Sequence, residues 1–377
     1  MTFKLLKGIA TGPRRGQWQC DRGTVETPAF MPVATRGLMR GPWHQQLGPM
    51  GVEMMLANSF HLAARPGIET IKTLDGVHGM MGWQGPILTD SGGFQAFSLA
   101  EQTQFTPDGF RMRDPVHGHW IDWTPAHAFE VQKELGPDIA MLLDVCPAQP
   151  KQNKICVEAV HTTLQWAEIQ HELHHQRGGA ESGQSQFAIV QGGIFPELRQ
   201  ECATSLVALG FDGYAIGGVS VGEGFEAMMA GVEYSTPYLP SGEIRYLMGV
   251  GTPRDLVESV ARGVDLFDCV WPTRAGRFAT ALTKSGKLNL LNACFREDTD
   301  VIEPGCICDA CASGIPRGTL RAGFQAKELL SSMMVAQHNL HFIQSLMQKM
   351  RTAIEDGSFE KLRFKVCEAY PLGGEDG

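Results

Sequence analysis

The most self-contained chemical pattern of this chain lies near its C-terminus. Cys306, Cys308 and Cys311 form a CxCxxC cluster, and His338 follows on a long amphipathic segment. Three thiolates and one imidazole complete a tetrahedral Zn2+ site with no open position. We therefore expect one structural zinc ion per chain, which holds a subdomain together. His341, nearly one helical turn further on, is the alternative fourth ligand.

Two aspartates in separate motifs could do covalent chemistry. Asp90 lies in LTDSGGF, where the glycine pair lets a ligand approach the backbone, and Asp268 lies in FDCVWPTR before Arg274 and Arg277. Alone, the Asp268 motif is equally consistent with a salt bridge, and the Asp90 motif is better explained as a strand-to-loop turn. Together, two carboxylates across one pocket permit displacement at a sugar anomeric carbon, one as nucleophile and one as acid/base.

Eight short apolar runs alternate with helical segments and would position these residues. Strands that are apolar throughout indicate a parallel sheet buried on both faces. Eight units in this length favour an α/β fold of the (β/α)8 TIM-barrel type, and no GxGxxG motif marks a dinucleotide fold. The runs are residues 28–35, 54–60, 86–94, 139–146, 186–193, 213–220, 245–251 and 266–273.

Polar residues close most of these runs, at the barrel end where such folds carry their chemistry. They are Asn58, Asp90, Asp144, Gln191 and Asp268, with a glycine pair at 217–218. A single such aspartate is commonly a helix cap. Several converging on one mouth indicate a binding site, because unpaired buried carboxylates are costly.

The rest of the pattern divides the chain into three parts. Residues 1–27 are expected to form a small antiparallel lead-in. Residues 28–273 are expected to form the barrel, with a β-rich insertion at about 98–123, where polar and apolar residues alternate. Residues 274–377 are expected to form a zinc-binding subdomain followed by C-terminal helices.

Composition bounds the class of protein. The chain has 377 residues, of which 43% are hydrophobic and 19% charged, which excludes disorder as its main state. A net charge of −9 argues against a generally basic nucleic-acid binder, although Lys and Arg outnumber Asp and Glu between residues 271 and 330. The sequence shows no membrane span and no signal peptide. We therefore expect a cytoplasmic protein with reduced cysteines.

Long ordered motifs across roughly residues 20–350 resemble the tRNA-guanine transglycosylase (queuine tRNA-ribosyltransferase) family, bacterial type. That family has a (β/α)8 barrel with a zinc subdomain. The matching segments are residues 27–33, 58–62, 65–67, 88–94, 191–192, 210–218, 221–223, 247–251 and 267–274, followed by the CxCxxC and histidine pattern.

The resemblance implies base exchange in queuosine biosynthesis. Asp268 would attack C1′ of the wobble guanosine of tRNA and release guanine, and a 7-deazaguanine base would then attack the covalent intermediate. Asp90 would be the acid/base partner. The family selects a uridine-guanine-uridine anticodon core and forms homodimers. Val221, at a position where bulky residues accompany the small precursor base, predicts use of 7-aminomethyl-7-deazaguanine.

The same resemblance assigns the base pocket and the RNA contact. A guanine-type edge offers two adjacent donors, which one carboxylate accepts in bidentate fashion, and its O6 requires donors. Asp144 matches the acceptor, and Gln191 and the backbone amide of Gly218, next to Val219 in the pocket wall, match the donors. Phe94 and Met248 match the faces that sandwich the ring, although ordinary core packing is the alternative for Met248. Arg274 and Arg277 are expected to contact RNA.

Some positions depart from the family pattern. Val145 replaces a glutamate near the pocket floor, and Ala126 replaces a glutamate after a proline. Phe278-Ala279 and Gly318-Thr319 replace polar or aromatic residues where the family meets RNA or its partner subunit. The alternatives are a non-catalytic RNA-binding partner subunit, a glycosidase or nucleosidase, base exchange on another nucleic acid such as DNA and, as the weakest, zinc catalysis.

Overall fold

The computed structural model describes residues 1–9, 11–147, 151–220 and 222–372. The strands are β1 Thr2–Gly8, β2 Arg14–Cys20, β3 Gly23–Thr27, β4 Ala29–Met31, β5 Met55–Ala57, β6 Ile87–Thr89, β7 Thr103–Thr106, β8 Gly109–Arg113, β9 Trp120–Trp123, β10 Ile139–Met141, β11 Ser185–Val190, β12 Gly213–Ile216, β13 Ile244–Leu247, β14 Leu266–Asp268, β15 Thr280–Thr283 and β16 Gly286–Asn289.

The helices alternate with these strands. They are α1 His44–Leu47, α2 Ser59–Ala64, α3 Ile68–Thr73, α4 Gly76–Met81, α5 Gly93–Ser98, α6 Pro125–Leu135, α7 Asn153–Gln176, α8 Pro196–Leu209, α9 Phe225–Ser235, α10 Pro253–Val260, α11 Trp271–Arg277, α12 Asp309–Ala312, α13 Arg317–Gln325, α14 Leu329–Asp356 and α15 Phe359–Ala369. Short 3-10 helices lie at Ala100–Gln102, Gly179–Ser182, Thr236–Tyr238 and Ala293–Phe295.

Eight parallel strands form the barrel, in the order β4-β14-β13-β12-β11-β10-β6-β5. A parallel bridge between Val33 and Leu56 closes the ring, with the Ala34 amide 2.8 Å from the Leu56 carbonyl oxygen. The strands are buried along almost their whole length, as a sheet covered on both faces requires. The predicted α/β barrel is confirmed.

The strands are shorter than the apolar runs that predicted them. The run at residues 86–94 contains β6, Ile87–Thr89. The chain then turns through Asp90 to Gly92, and α5 begins at Gly93. Gly92 has φ of +88°, and a Cβ there would lie 2.6 Å from the indole nitrogen of Trp123. The residues of a run that lie beyond its strand therefore form the turn that carries the site residue.

The antiparallel sheet β1-β2-β3 contacts the amino-terminal end of the barrel. Arg14, at the start of β2, is fully buried, and its Nε lies 3.1 Å from Oδ1 of Asp265. Its guanidinium also donates to the carbonyl oxygen of Glu243 at 2.9 Å. Because Asp265 precedes β14 and Glu243 precedes β13, Arg14 joins the lead-in sheet to the entrances of two barrel strands.

The insertion at the barrel rim is the antiparallel sheet β7-β8-β9. Its last residue, Trp123, is fully buried, and the indole N–H donates to the carbonyl oxygen of Ser91 at 2.8 Å. The Trp123 ring also packs edge-on against Phe60 at 5.3 Å. The insertion therefore supports the turn that follows Asp90.

A second, smaller hydrophobic core lies in the C-terminal part. It includes Ala281, Leu290, Ile302 and Leu320, together with Val335 of α14. Residues further along α14, from Leu340 to Ile354, belong to the barrel core instead. One long helix thus belongs to both cores.

None of the helices in the described ranges has both the length and the apolar character that a membrane span requires.

Candidate active site

A cavity of about 410 Å³ lies at the carboxyl-terminal ends of the barrel strands. Its lining includes eight of the residues predicted to act on the substrate: Asp90, Phe94, Asp144, Gln191, Gly218, Val219, Met248 and Asp268. The carboxyl ends of parallel barrel strands meet at one face, which explains why residues so distant in sequence converge here. Arg274, Arg277 and the predicted metal ligands lie outside this lining.

Asp268, the last residue of β14, is held through one oxygen. Oδ1 accepts a 2.6 Å hydrogen bond from the Tyr246 hydroxyl and a 2.8 Å hydrogen bond from the Gly249 amide. In the part of the chain that the structure describes, Oδ2 accepts no hydrogen bond. Burial raises the pKa of Asp268, and the two donors oppose this shift because they stabilise the carboxylate.

Asp90 follows β6 and is held by the start of α2. Its Oδ2 accepts a short hydrogen bond from the Asn58 amide, and its Oδ1 accepts from the Ser59 amide at 2.9 Å. Burial raises the pKa of Asp90 to about 7, the Ser59 hydrogen bonds oppose this, and the charge of Asp268 raises it further. Asp90 can therefore both give and take a proton near neutral pH.

Asp144 and Gln191 form a hydrogen-bonded pair on the pocket wall. Gln191 Nε2 donates to Asp144 Oδ2 at 2.5 Å, whereas Gln191 Oε1 is buried and has no hydrogen-bond partner among the described residues. Burial raises the pKa of Asp144 to about 6, and the bond from Gln191 opposes this shift. Gln191, expected to donate to a base, donates here to its neighbouring carboxylate.

Position 93, which lies opposite Asp144, requires a glycine. A Cβ at Gly93 would lie 2.5 Å from Asp144 Oδ1, so a side chain there would displace the carboxylate. Gly218, with φ of +63°, likewise faces Gln191 Oε1 closely. The backbone thus approaches both polar side chains because these positions lack a Cβ.

The remaining pocket residues differ in exposure. Val219 is buried, Met248 is half-buried, and Phe94 is 51% exposed. Phe94 lies 5.9 Å from the ring of Phe97. An exposed aromatic ring beside a cavity offers a flat surface for a planar ligand. Phe94 and Met248 therefore both offer apolar surface to the cavity, with Met248 the more enclosed of the two.

Arg274 and Arg277 lie on α11, directly after the Asp268 strand. Arg274 is exposed and Arg277 is half-buried. Desolvation lowers the pKa of Arg277, and the positive charges of Arg40 and Arg274 add to this effect. Arg40, which the sequence patterns did not single out, therefore joins the arginine pair in one positive cluster suited to an anionic ligand.

The predicted metal ligands form a compact cluster. His338 Nδ1 lies 3.8, 3.3 and 3.5 Å from the sulfurs of Cys306, Cys308 and Cys311, respectively. The four ligand atoms lie within 4.8 Å of one another, so this Cys3His set could hold a metal ion. The other ring nitrogen, Nε2, is 2.8 Å from the Leu282 carbonyl oxygen and orients the imidazole.

The departures from the family pattern lie at several places. Val145 packs against the core, and Ala126 is exposed on α6. Phe278 is 70% exposed, whereas Ala279 is buried with φ of +64°. A Cβ at Gly318 would lie 3.0 Å from two backbone carbonyl oxygens. Thr319 is exposed. Val221, on which the prediction of the incoming base depends, lies outside the described residues.

Sequence reasoning missed the residues that hold the two catalytic candidates. Tyr246 lies in the short run at residues 245–251, and Gly249 lies in the glycine-rich turn at its end. The signal was available, because the hydroxyl of a buried tyrosine usually requires a partner. Asn58 was identified as a polar strand end, but its bond to Asp90 was not predicted.

A parallel barrel whose cavity holds two half-buried carboxylates, and a third that accepts from a glutamine, is consistent with a barrel enzyme that transfers a glycosyl group. The family model described as "Queuine tRNA-ribosyltransferase" matches residues 10–372. The chain belongs to this family. The prediction of a pentosyltransferase of the tRNA-guanine transglycosylase type is confirmed.

Curated relatives support the same membership. The chain is 45% identical over 367 residues to the queuine tRNA-ribosyltransferase of Xanthomonas axonopodis pv. citri (strain 306), covering 96% of each chain. It is 44% identical over 358 residues to that of Xylella fastidiosa (strain 9a5c), covering 95% of this chain and 92% of the relative.

Proposed function

We propose that this protein replaces the wobble guanine of tRNA with 7-aminomethyl-7-deazaguanine through a covalent ribosyl-Asp268 intermediate, in queuosine biosynthesis. The observation that carries the proposal is the pairing of Asp268 and Asp90 in one cavity. Asp268 has one oxygen held by two donors and the other without a donor among the described residues. Asp90 has a pKa of about 7.

In the first half-reaction, Asp268 Oδ2 forms a bond to C1′ of the ribose while the bond between C1′ and N9 of guanine breaks. The bonding electron pair leaves with guanine, which takes a proton from the Asp90 carboxyl group. In the second half-reaction, the incoming base returns its N9 proton to Asp90 and bonds to C1′. Asp268 then leaves as a carboxylate, and the RNA backbone stays intact.

Asp144 reads the Watson–Crick edge of the base in this proposal. Its carboxylate accepts from N1–H and the exocyclic amine, while Gln191 and the amide of Gly218 donate to O6. The bond between Gln191 Nε2 and Asp144 Oδ2 orders the pocket before the base arrives. Because the Gln191 amide has two N–H donors and the Asp144 carboxylate has acceptor capacity left, both side chains can bond to a bound base.

The positive cluster of Arg40, Arg274 and Arg277 supports binding of the tRNA backbone beside the cavity. The wobble base must turn out of the anticodon stack to reach Asp144, as recognition of a single-stranded loop generally requires. The proposed partner is tRNA with a uridine-guanine-uridine anticodon core. The proposed setting is the cytoplasm, and the proposed assembly is a homodimer, which a measured mass in solution tests.

The Cys3His cluster fits a structural Zn2+. With metal–sulfur and metal–nitrogen bonds of about 2.3 and 2.0–2.1 Å, tetrahedral geometry places sulfur and nitrogen about 3.5 Å apart. The observed separations of 3.3 to 3.8 Å bracket this value. Cys306, Cys308, Cys311 and His338 would hold the ion, which supplies folding free energy to the subdomain when bound.

The decisive experiment is exchange of labelled guanine into tRNA by the wild-type protein and by Asp268→Asn. We expect exchange by the wild type, and a loss of about 10⁴-fold or more in the variant, because an amide is a poor nucleophile. A covalent RNA adduct should form with the wild type alone. Exchange that survives in Asp268→Asn with an undiminished rate would contradict the proposal.

Further arms of the assay separate the alternatives. Release of guanine without incorporation would indicate a hydrolase, and exchange into DNA containing the same core would indicate a different nucleic acid. Binding of tRNA with no exchange by the wild type would indicate a non-catalytic subunit. Competition between queuine and 7-aminomethyl-7-deazaguanine tests the identity of the incoming base, and incorporation of queuine would refute the assignment to the precursor.

A further inference from the structure

A second cluster of metal-ligating side chains lies far along the chain from the cysteine cluster. Asp114, His117 and His119 lie between β8 and β9, in the inserted sheet at the barrel rim. One ligand atom from each of the three lies within 4.8 Å of the other two. The proposed exchange of bases makes no use of these residues.

The two oxygens of Asp114 face different partners. Oδ1 accepts hydrogen bonds from the Val116 amide at 2.6 Å and the His117 amide at 3.0 Å. Oδ2 lies 3.3 Å from His117 Nδ1 and 3.7 Å from His119 Nε2. One oxygen therefore shapes the turn, and the other points at both imidazole rings.

The turn is closed by its own backbone. The Asp114 amide donates to the His119 carbonyl oxygen at 2.8 Å, and the Gly118 amide donates to the Asp114 carbonyl oxygen at 3.0 Å. Arg113 Nε also donates to the Gly118 carbonyl oxygen at 3.0 Å. Because these bonds fix the backbone between the two histidines, little chain ordering remains to oppose binding of an ion.

The separations suit a tetrahedral transition-metal ion. With metal–ligand bonds of about 2.0–2.1 Å, tetrahedral geometry places nitrogen and oxygen ligands about 3.3 Å apart. The contact between Asp114 and His117 has this length, and the contact to His119 is 0.4 Å longer. Asp114 is buried, whereas the His117 and His119 side chains are 66% and 61% exposed, so solvent ions reach the rings directly.

We propose that Asp114, His117 and His119 form a second metal site, which binds Zn2+ through one carboxylate and two imidazoles with water in the fourth position. A set of two imidazoles and a carboxylate binds Zn2+ in preference to Mg2+ or Ca2+. Unlike the Cys3His cluster, this site leaves a coordination position open. The ion would tie His119, next to β9, to the end of β8 and so stiffen the sheet that carries Trp123.

The test uses the full-length protein carrying one Zn2+ per chain in the cysteine cluster, titrated with Co2+ as a spectroscopic probe. We expect one further equivalent to bind with weak visible d–d bands and without the thiolate charge-transfer absorption that cysteine ligands would produce. Binding should also raise the Tm, because Co2+ binds the folded protein. Absence of a further equivalent, or its appearance with thiolate absorption, would overturn the proposal.

Three variants locate the ion. Asp114→Asn keeps the acceptor that shapes the turn and replaces the ligand oxygen by an amide nitrogen. Together with His117→Ala and His119→Ala, it should weaken Co2+ binding at least about tenfold, since even outer-sphere changes cost 10–100-fold. The matched control is His171→Ala, whose ring stacks on His175 at 6.5 Å on α7. Loss of binding in His171→Ala, with the other three unaffected, would place the ion elsewhere.

Discussion

The Tyr246 hydroxyl donates a 2.6 Å hydrogen bond to Oδ1 of Asp268, and the buried tyrosine and the half-buried aspartate both line the cavity. Burial, the charge of Asp268 and this bond together raise the pKa of Tyr246 well above its usual value, so the phenol stays protonated and always donates. Oδ2 of the aspartate, which accepts no hydrogen bond from the described residues, is the atom proposed to attack the ribose.

Removal of this donor should slow the reaction. In Tyr246→Phe the carboxylate loses a hydrogen bond to a charged group, which contributes about 1.5–3 kcal/mol, so we expect guanine exchange to fall by about 10–100-fold. The acidic limb of the pH profile should move to higher pH, because the pKa of Asp268 rises. Tyr238→Phe, which removes an exposed hydroxyl bonded to Gln200, is the control. Equal rates and profiles for both variants would refute this role.

Asp90 should produce the alkaline limb of the pH profile. Its pKa of about 7 lies above the usual value, so the group is protonated, and able to act as an acid, below about pH 7. We expect kcat/KM for tRNA to fall about tenfold per pH unit above that value. Asp90→Asn should be slow and should lack this limb. Persistence of the same limb in Asp90→Asn would assign it to another group.

Asp144 should control affinity for the base. Its raised pKa of about 6 means that the carboxylate gains a proton, and loses acceptor capacity, as the pH falls through about 6. We expect KM for guanine to rise below that pH in the wild type. Above that pH, Asp144→Asn should raise KM about 100-fold or more, because an amide donor would face two donors of the base. Asp122→Asn, which changes an exposed carboxylate on β9, should behave as the wild type.

The arginine cluster should act through charge. We expect Arg274→Ala and Arg277→Ala to raise KM for tRNA while leaving KM for free guanine unchanged. Removal of one arginine–phosphate interaction should reduce the slope of log affinity against log salt by about 0.7, the value for single strands. Lys4→Ala, an exposed cation on β1, is the control. An unchanged salt slope in both arginine variants would exclude these interactions.

The fourth ligand of the cysteine cluster distinguishes two neighbouring histidines. His338 Nδ1 faces all three sulfurs, so His338→Ala should lose the bound zinc and lower the Tm. His341→Ala, one turn along α14, should retain one zinc ion per chain. Metal content per chain and the Tm together test this, and retention of zinc by His338→Ala would contradict the assignment.

Much of the fold could be predicted because its strands are apolar throughout and end in polar residues. The run before Asp90 illustrates both what periodicity can and cannot determine: it located β6, but the strand ends at Thr89, since the chain must turn to present the carboxylate. Periodicity alone did not reveal the support that Trp123 gives to this turn, because the contact joins segments separated by 32 residues.

The polar contacts within the site were harder to predict than its members. Asp144 and Gln191 were expected to contact different groups on one edge of a base, yet in this structure they bond to each other. The choice of partner for a buried polar group depends on three-dimensional packing that one sequence does not encode in a local pattern. The role of Tyr246 was missed for a similar reason, because its partner Asp268 lies on the neighbouring strand, 22 residues further along the chain.

The position of Arg14 and the lead-in sheet, at the barrel end opposite the cavity, bears on the order in which the two bases bind. Arg14 bonds to Asp265 and Glu243 at the amino-terminal ends of two barrel strands, whereas the cavity lies at the carboxyl-terminal ends of the strands. In the proposed exchange, guanine must therefore leave this cavity before the incoming base binds in it. We therefore expect ping-pong steady-state kinetics, in which free guanine competes with the incoming base for the cavity.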